Sequence, residues 1–151
     1  MFWGDSATNK REEKGLHRLG LTIILALSVF LNLSWLTSEE YANVYYAATV
    51  KNMLTSYHNF FFASYDAGFV SVDKPPLGFW IQATNAYLFG FHGWSLLLPQ
   101  ALAGVLCVAL LYHLVGRSFG TAAGLLAALA LALSPISVAT NRHNNLESLL
   151  V

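Results

Sequence analysis

The chain has 151 residues, of which 56% are hydrophobic and only 11% are charged, and its formal net charge is zero. Soluble domains average about 25% charged residues, so this composition indicates a membrane protein. The few basic residues form no stripe, which argues against nucleic-acid binding. A single cysteine, Cys107, excludes an internal disulfide bond.

The first predicted element is a transmembrane helix at residues 19–38, a stretch of twenty residues without a formal charge. About 20 apolar residues are needed to cross the hydrocarbon core of a bilayer. A cleaved signal peptide is the alternative, but the stretch is long for one and no small-x-small cleavage site follows Trp35. Residues 1–18 carry four basic side chains, so the positive-inside rule places the N-terminus in the cytoplasm.

Residues 39–92 are predicted to form an external loop that contains interfacial helices. Residues 41–57 place most of their apolar side chains on one helical face, which suits a helix lying on the membrane surface. Residues 77–91 resemble a further span, but they contain Gln82 and Asn85, and a span here would invert everything after it. A second interfacial helix is therefore the preferred interpretation. The many aromatic residues of this loop are typical of the headgroup level.

Two further transmembrane helices are predicted at residues 93–114 and 118–141. In the second, small residues recur every fourth position and predict a close packing face, although alanine-rich helices also produce this spacing by chance. These residues are Gly120, Gly124, Ala128 and Ala132. Pro135 is expected to loosen the last turn. Residues 142–151 read as an external loop and the start of a fourth helix, so we expect the N-terminal part of a longer protein.

A charged corner precedes the second span. Pro75 and Pro76 fix the backbone and favour an extended conformation at Lys74. Asp73 and Lys74 are the last formal charges before a long uncharged region that ends at Gly116. A solvated loop corner is the simple interpretation, but the position at a predicted membrane boundary favours a functional site.

The predicted topology collects charged side chains on the outer side of the membrane. They are Glu39, Glu40, Asp66, Asp73, Lys74, Arg142, His143 and Glu147. Lysine and arginine could neutralise a lipid-linked phosphate, and a carboxylate could accept the proton of an acceptor hydroxyl. The alternatives are a solvated helix end at Glu39 and simple interfacial anchoring by Arg142. The histidines lack the short spacing of metal ligands, so no metal site is predicted.

Four blocks in order carry a family resemblance: YANVYYAATVKNML, HNFFFASYDAGFVSVDKPPLGFW, GWSLLLPQALAGVL and ALSPISVATNRHNNLESLLV. Together they resemble the start of bacterial membrane glycosyltransferases of family 39, relatives of protein O-mannosyltransferases and of the lipid A aminoarabinose transferase. The resemblance covers nearly everything after residue 20. It implies an all-α, multi-span membrane protein with the C-type glycosyltransferase fold.

The resemblance also implies a reaction on the outer face of the cell membrane. Such an enzyme transfers a hexosyl, mannosyl-like group from a polyprenyl-phosphate donor to a lipid, glycan or protein acceptor, and no cofactor beyond that donor is implied. Lys74 would contact the phosphate and Asp73 would orient it. Glu39 matches the acid of the first external loop, and Glu147 falls where relatives usually carry Asp. Arg142, from its charge and predicted side of the membrane, is the second candidate phosphate ligand.

Two other classes of function remain open from the sequence. One is a non-catalytic small membrane protein or gene remnant. Even under the enzymatic interpretation, the chain by itself is expected to be inactive, because most of the active site would be formed by other parts of a longer protein. A transporter would need polar residues near the middle of the bilayer, where the spans offer only Ser28 and Asn32. Loss of sugar transfer on mutation of Lys74 in a full-length context would favour the enzyme.

Overall fold

A computed structural model describes residues 5–34, 36–38 and 40–144, with side chains from residue 15 onward. Seven helices account for most of this part of the chain: α1 Asp5–Leu33, α2 Val44–Met53, α3 Tyr57–Phe61, α4 Pro76–Phe89, α5 Gly93–Phe119, α6 Thr121–Ala132 and α7 Pro135–Asn141. Two short antiparallel strands, β1 Ser64–Tyr65 and β2 Val70–Ser71, form a small hairpin between α3 and α4. The predicted all-α class is confirmed.

Two helical stretches are long and apolar enough to cross a membrane: Gly15–Ser38, which contains most of α1, and Gly93–Phe119, which is α5. A third candidate span exists if α6 and α7 are taken together, although their axes differ by 60°. The chain is thus an all-α membrane protein. The predicted limits of the individual spans and of the external loop stay predictions.

Helices α5 and α6 pack closely because both present glycine at their contact. A Cβ atom added to Gly124 would lie 2.8 Å from the carbonyl oxygen of Tyr112 and 2.9 Å from the Cα of Gly116. Ala128 and Ala132, one and two turns further, are also buried. The packing face predicted from the small residues is therefore confirmed for three of its four positions. The fourth position, Gly120, is exposed, because it is the single residue that connects the end of α5 to the start of α6.

The third candidate span is broken near its C-terminal end. Helix α6 ends at Ala132, and α7 begins at Pro135, where the missing N–H of proline is no loss because the first helical turn has no intrahelical acceptor for it. The backbone N–H of Ser137 donates to the Ser134 hydroxyl, which caps the new helix. The expectation that Pro135 only loosens a turn was too weak, since the chain changes direction here.

The segment between α1 and α5 packs against the start of α5 and forms a buried apolar core there. Val50 and Met53 of α2, Phe79 and Ala83 of α4, and Leu96 of α5 are almost completely buried together. The indole N–H of Trp80 donates to the carbonyl oxygens of Phe60 and Phe61, at 3.0 and 3.2 Å. These contacts hold α3 and α4 together, and they position the connection that carries Lys74.

Candidate functional site

The connection between β2 and α4 presents the charged corner. Asp73 is exposed and Lys74 is half-buried. Pro75 has the φ of −54° and ψ of 137° of an extended residue, and Pro76 occupies the first position of α4. The two prolines therefore begin the helix immediately after Lys74 and leave its backbone little freedom.

Lys74 lines a partly enclosed cavity of about 350 Å³ with mainly apolar walls, to which three aromatic side chains contribute. The other lining residues are Phe61, Phe62, Ala63, Ser71, Val72, Pro76 and Trp80. Lys74 is the only charged residue among these described neighbours. An ammonium group beside apolar walls interacts with an anion more strongly than in bulk water, because the local dielectric constant is lower. The arrangement suits an anionic group that carries an apolar substituent.

A buried amide joins the end of α7 to three other segments. Asn144 is fully buried, and its Oδ1 accepts a hydrogen bond of 2.7 Å from Gln82 of α4 and a longer one of 3.5 Å from Gln100 of α5. Its Nδ2 donates to the carbonyl oxygens of Tyr41 and Asn43, at 3.5 and 3.4 Å. We call Asn144, Gln82 and Gln100 the amide hub.

A second pair of hydrogen-bonded amides, Asn141 and Asn32, lies near the hub, since Asn141 precedes Asn144 by three residues. Asn141 donates to the side-chain oxygen of Asn32 at 2.9 Å, and Asn32 donates to the carbonyl oxygen of Ser28 at 2.8 Å. Gly104 makes room for this pair, because a Cβ atom there would overlap the Asn141 amide. Ser28 and Asn32, the polar residues weighed for a transporter, thus take part in contacts that join α1 to α7.

The residues that follow Glu39 are held against the beginning of α5. A Cβ atom at Gly93 would overlap the carbonyl oxygen of Glu40, so only glycine permits this approach. The rings of Tyr41 and Phe91 stack with their centroids 5.3 Å apart, and the Lys51 ammonium lies 5.9 Å from the Phe91 centroid. Lys51 thus makes a cation–π contact here and does not line the cavity of Lys74.

The predicted site residues fall into three groups. Asp73 and Lys74 lie together at the start of α4, and Arg142, half-buried, caps the end of α7 two residues before Asn144. The amide hub connects those two regions through Gln82. Glu39 and Glu147 lie outside the described residues, so their predicted roles stay predictions, as do those of the other three. Within the described ranges, no group of three or more His, Cys, Asp or Glu side chains is placed to hold a metal ion.

The sequence interpretation did not assign Trp80 to the cavity of Lys74, and it did not identify the amide hub. A usable signal was present in Gln82, because an amide inside an otherwise apolar helix is expected to find a buried partner. That residue served only as an argument against a membrane span. Its partner lies 62 positions away and cannot be identified from local pattern.

Comparison with known proteins gives a family. The family model described as dolichyl-phosphate-mannose-protein mannosyltransferase matches residues 73–151, which is just over half of the chain. The chain belongs to this family. The match begins at Asp73 and includes Lys74, Arg142 and Glu147, whereas Glu39 lies before it.

The similarity of this chain to individual proteins extends further toward the N-terminus of the chain than the family match does. It is 52% identical to Putative mannosyltransferase YycA and 49% identical to Putative mannosyltransferase YkcB, both of Bacillus subtilis, over 132 residues or 87% of the chain. An uncharacterized protein of Aquifex aeolicus is 34% identical over 113 residues, which is 74% of the chain. The aligned parts are 19%, 18% and 21% of these proteins, so the chain spans about a fifth of their length. The search of solved structures returned no match.

Proposed function

We propose that this chain contributes to a membrane glycosyltransferase that moves a mannosyl-like hexose from a polyprenyl-phosphate donor to a lipid, glycan or protein acceptor. The reaction takes place on the outer face of the cell membrane, with the N-terminus of the chain in the cytoplasm. The observation that carries the proposal is Lys74 in its mainly apolar cavity, at the point where the family match begins. The names of the Bacillus relatives support the sugar.

The charge change of the reaction explains the need for cations. The bond between the anomeric carbon and the donor phosphate oxygen breaks and its electron pair stays on that oxygen. Negative charge therefore develops on the leaving polyprenyl phosphate in the transition state and reaches one unit when the bond is fully broken. Lys74 supplies a compact positive charge, and Arg142 supplies a planar fork that matches phosphate oxygens. Preformed charge that meets developing charge lowers the activation barrier. In this proposal protein cations bind the phosphate, and no metal ion or further cofactor takes part.

The acceptor must lose a proton as its oxygen forms the new bond to the anomeric carbon. A carboxylate within hydrogen-bond reach of the acceptor hydroxyl accepts that proton. Glu39, Asp73 and Glu147 are the proposed carboxylates, of which Asp73 also orients the phosphate beside Lys74. A single displacement of this kind inverts the configuration at the anomeric carbon.

The first test replaces Lys74 with glutamine in the full reading frame that contains this chain. We expect transfer of labelled mannose from polyprenyl-phosphate mannose to fall by about 10- to 100-fold, the loss of one charge-assisted hydrogen bond of roughly 1.5–3 kcal/mol. The matched control is Lys51→Gln, since Lys51 belongs to the same external segment but contacts Phe91. Initial rates are compared at equal amounts of inserted protein.

The control separates charge in general from charge at the cavity. Lys51→Gln is expected to keep at least about half of the wild-type rate, because an exposed cation–π contact is worth only about 0.5–1 kcal/mol and lies outside the cavity. Equal losses in the two variants, or full activity of Lys74→Gln, would contradict the proposed role of Lys74.

A further inference from the structure

A cleft that shares no lining residue with the cavity of Lys74 opens between the end of α2, α3 and α4. Its volume is about 360 Å³, and its most deeply buried lining residues are Met53 and Ala83. Tyr57 and Tyr87 border the cleft and are 82% and 80% exposed, so their side chains are largely available for contact. We call this space the tyrosine cleft.

Among the described residues, none that lines the tyrosine cleft carries a formal charge. The remaining lining residues are Leu54, Ser56, Phe60 and Thr84. A phosphate or carboxylate would find no countercharge here, and removing an unpaired charge from water is costly. The cleft therefore suits an uncharged ligand, in contrast to the cavity that contains Lys74.

Hydroxyl groups supply the polar part of the lining. They belong to Ser56, Tyr57, Thr84 and Tyr87. The Ser56 oxygen accepts a hydrogen bond of 3.2 Å from the backbone N–H of Asn59, and a hydroxyl that accepts still has a proton to donate. Because every hydroxyl both donates and accepts, this set matches a ligand that itself carries many hydroxyls. A purely apolar ligand would use none of them.

A sugar ring meets both demands of the cleft. Its hydroxyls form hydrogen bonds, while its C–H groups form apolar faces that pack against aromatic rings. The face of an aromatic ring is negatively polarised and attracts such C–H groups. Two exposed tyrosines beside an apolar, buried floor offer this combination. The chemistry of the lining thus indicates a neutral carbohydrate.

The tyrosine cleft lies next to the candidate site. Phe60 lines the cleft and Phe61 lines the cavity of Lys74, and the indole N–H of Trp80 donates to the carbonyl oxygens of both. Along α4, Trp80 of the cavity precedes Thr84 of the cleft by four residues, which is about 6 Å of helix. This separation is comparable with the length of one sugar unit.

We propose that the tyrosine cleft binds a neutral glycan and that this glycan is the acceptor of the transferred hexose. The inference rests on the proposed function, which leaves lipid, glycan and protein acceptors open. A hydroxyl oxygen of the bound glycan forms the new bond to the anomeric carbon, its proton passes to a carboxylate, and polyprenyl phosphate leaves with the electron pair of the broken bond. Tyr57 and Tyr87 hold the acceptor and take no part in phosphate binding.

The first experiment measures binding of two uncharged trisaccharides, mannotriose and maltotriose, to the complete protein in nanodiscs by saturation-transfer NMR. Tyr57→Ala and Tyr87→Ala should each weaken binding by about three- to tenfold, the loss expected for one aromatic contact. Tyr87→Phe keeps the ring and should stay within about twofold of the wild type. Phe69→Ala is the control, because Phe69 is 88% exposed but does not line the cleft. Substitutions at these exposed positions should leave folding intact.

The second experiment identifies the acceptor class. Membranes that contain the complete protein receive polyprenyl phosphate carrying labelled mannose, and the labelled product is divided into two samples. Partial acid hydrolysis should release a labelled disaccharide, in which mannose is joined to a second sugar. Reductive β-elimination, which releases sugars from serine and threonine, should yield no labelled mannitol. Tyr87→Ala should slow formation of the product, and Phe69→Ala should not.

The outcomes distinguish the cleft from the proposed function. Absence of trisaccharide binding to the wild-type protein, or unchanged binding in both Tyr→Ala variants, would overturn the glycan site while transfer continues. Labelled mannitol as the product would show a protein acceptor and overturn the acceptor role of the cleft. If trisaccharides bind as expected but the wild-type protein transfers no mannose, the proposed function itself fails.

Discussion

At the residue scale, the positions of the candidate site segments depend most on Asn144. Its side chain uses both donors and its acceptor to contact α4, α5 and the loop that follows α1. The side-chain oxygens of Gln82 and Gln100 are buried and have no hydrogen-bond partner among the described residues. The hub is therefore already short of donors, and any further loss would leave more buried polar groups unpaired.

Asn144→Ala is expected to lower the free energy of unfolding by about 2–4 kcal/mol, because it removes the short bond from Gln82 and leaves the buried amide unpaired. Thermal unfolding in detergent or nanodiscs measures this change. His143→Ala is the control, since His143 is an exposed neighbour and should shift stability by no more than about 0.5 kcal/mol. Equal stability of the two variants would show that the hub does not hold these segments.

Gly93 makes a second prediction at the same scale. Gly93→Ala is expected to destabilise the protein by about 1–3 kcal/mol and to reduce transfer, because its Cβ would displace the Glu40 backbone next to the predicted acid Glu39. Gly15→Ala is the control, as a Cβ there would have no atom within 4 Å. Unfolding midpoints and transfer rates are measured for both, and a normal Gly93→Ala protein would contradict the close approach.

At the scale of elements, the helices were predictable because uncharged stretches of membrane-spanning length leave a clear signal in composition. Small residues at intervals of four likewise indicated the face where α6 meets α5. The hairpin between α3 and α4 was not predictable, since strands of two residues show no alternation. The break at Pro135 was only partly foreseen, because proline is tolerated in membrane helices and its local effect depends on neighbouring groups.

The contact between α5 and α6 can be tested at two glycines that differ in the space available for a side chain. Gly124→Ala is expected to destabilise the protein by about 1–3 kcal/mol, since the added methyl would meet Tyr112 and Gly116 backbone atoms. Gly116→Ala should be neutral or slightly stabilising, because its Cβ would make only an ordinary contact of 3.9 Å and alanine favours helix. Equal unfolding temperatures for the two variants would contradict this packing.

At the scale of the whole molecule, the amide hub could not be derived from the sequence. Asn144 contacts residues that are 44 to 103 positions away, and periodicity reports only on neighbours within a few turns. The charged corner was identifiable because its residues are adjacent in the sequence. The cavity beside it was not identifiable, because Phe61, Phe62 and Trp80 come together around Lys74 only after α3 folds onto α4.

The predicted orientation makes one global prediction. In a Cys107→Ser background, Asp66→Cys should react with a membrane-impermeant maleimide added to intact cells, since the positive-inside rule places this loop outside. Ser118→Cys, in the last turn of α5, should react only after permeabilisation. Both positions are exposed, so access to reagent depends on the side of the membrane. The opposite labelling pattern would invert the topology and remove the proposed site from the outer face.

The most direct measurement is the affinity of the complete protein for polyprenyl phosphate and for the corresponding polyprenol, which lacks the phosphate. Lys74→Gln and Arg142→Gln should each weaken binding of the phosphate by about tenfold or more and leave the alcohol unaffected, whereas Lys51→Gln changes neither. That result would place the donor phosphate at the charged corner. Wild-type affinity for the phosphate in Lys74→Gln would contradict the account, because its cavity would then bind no donor phosphate.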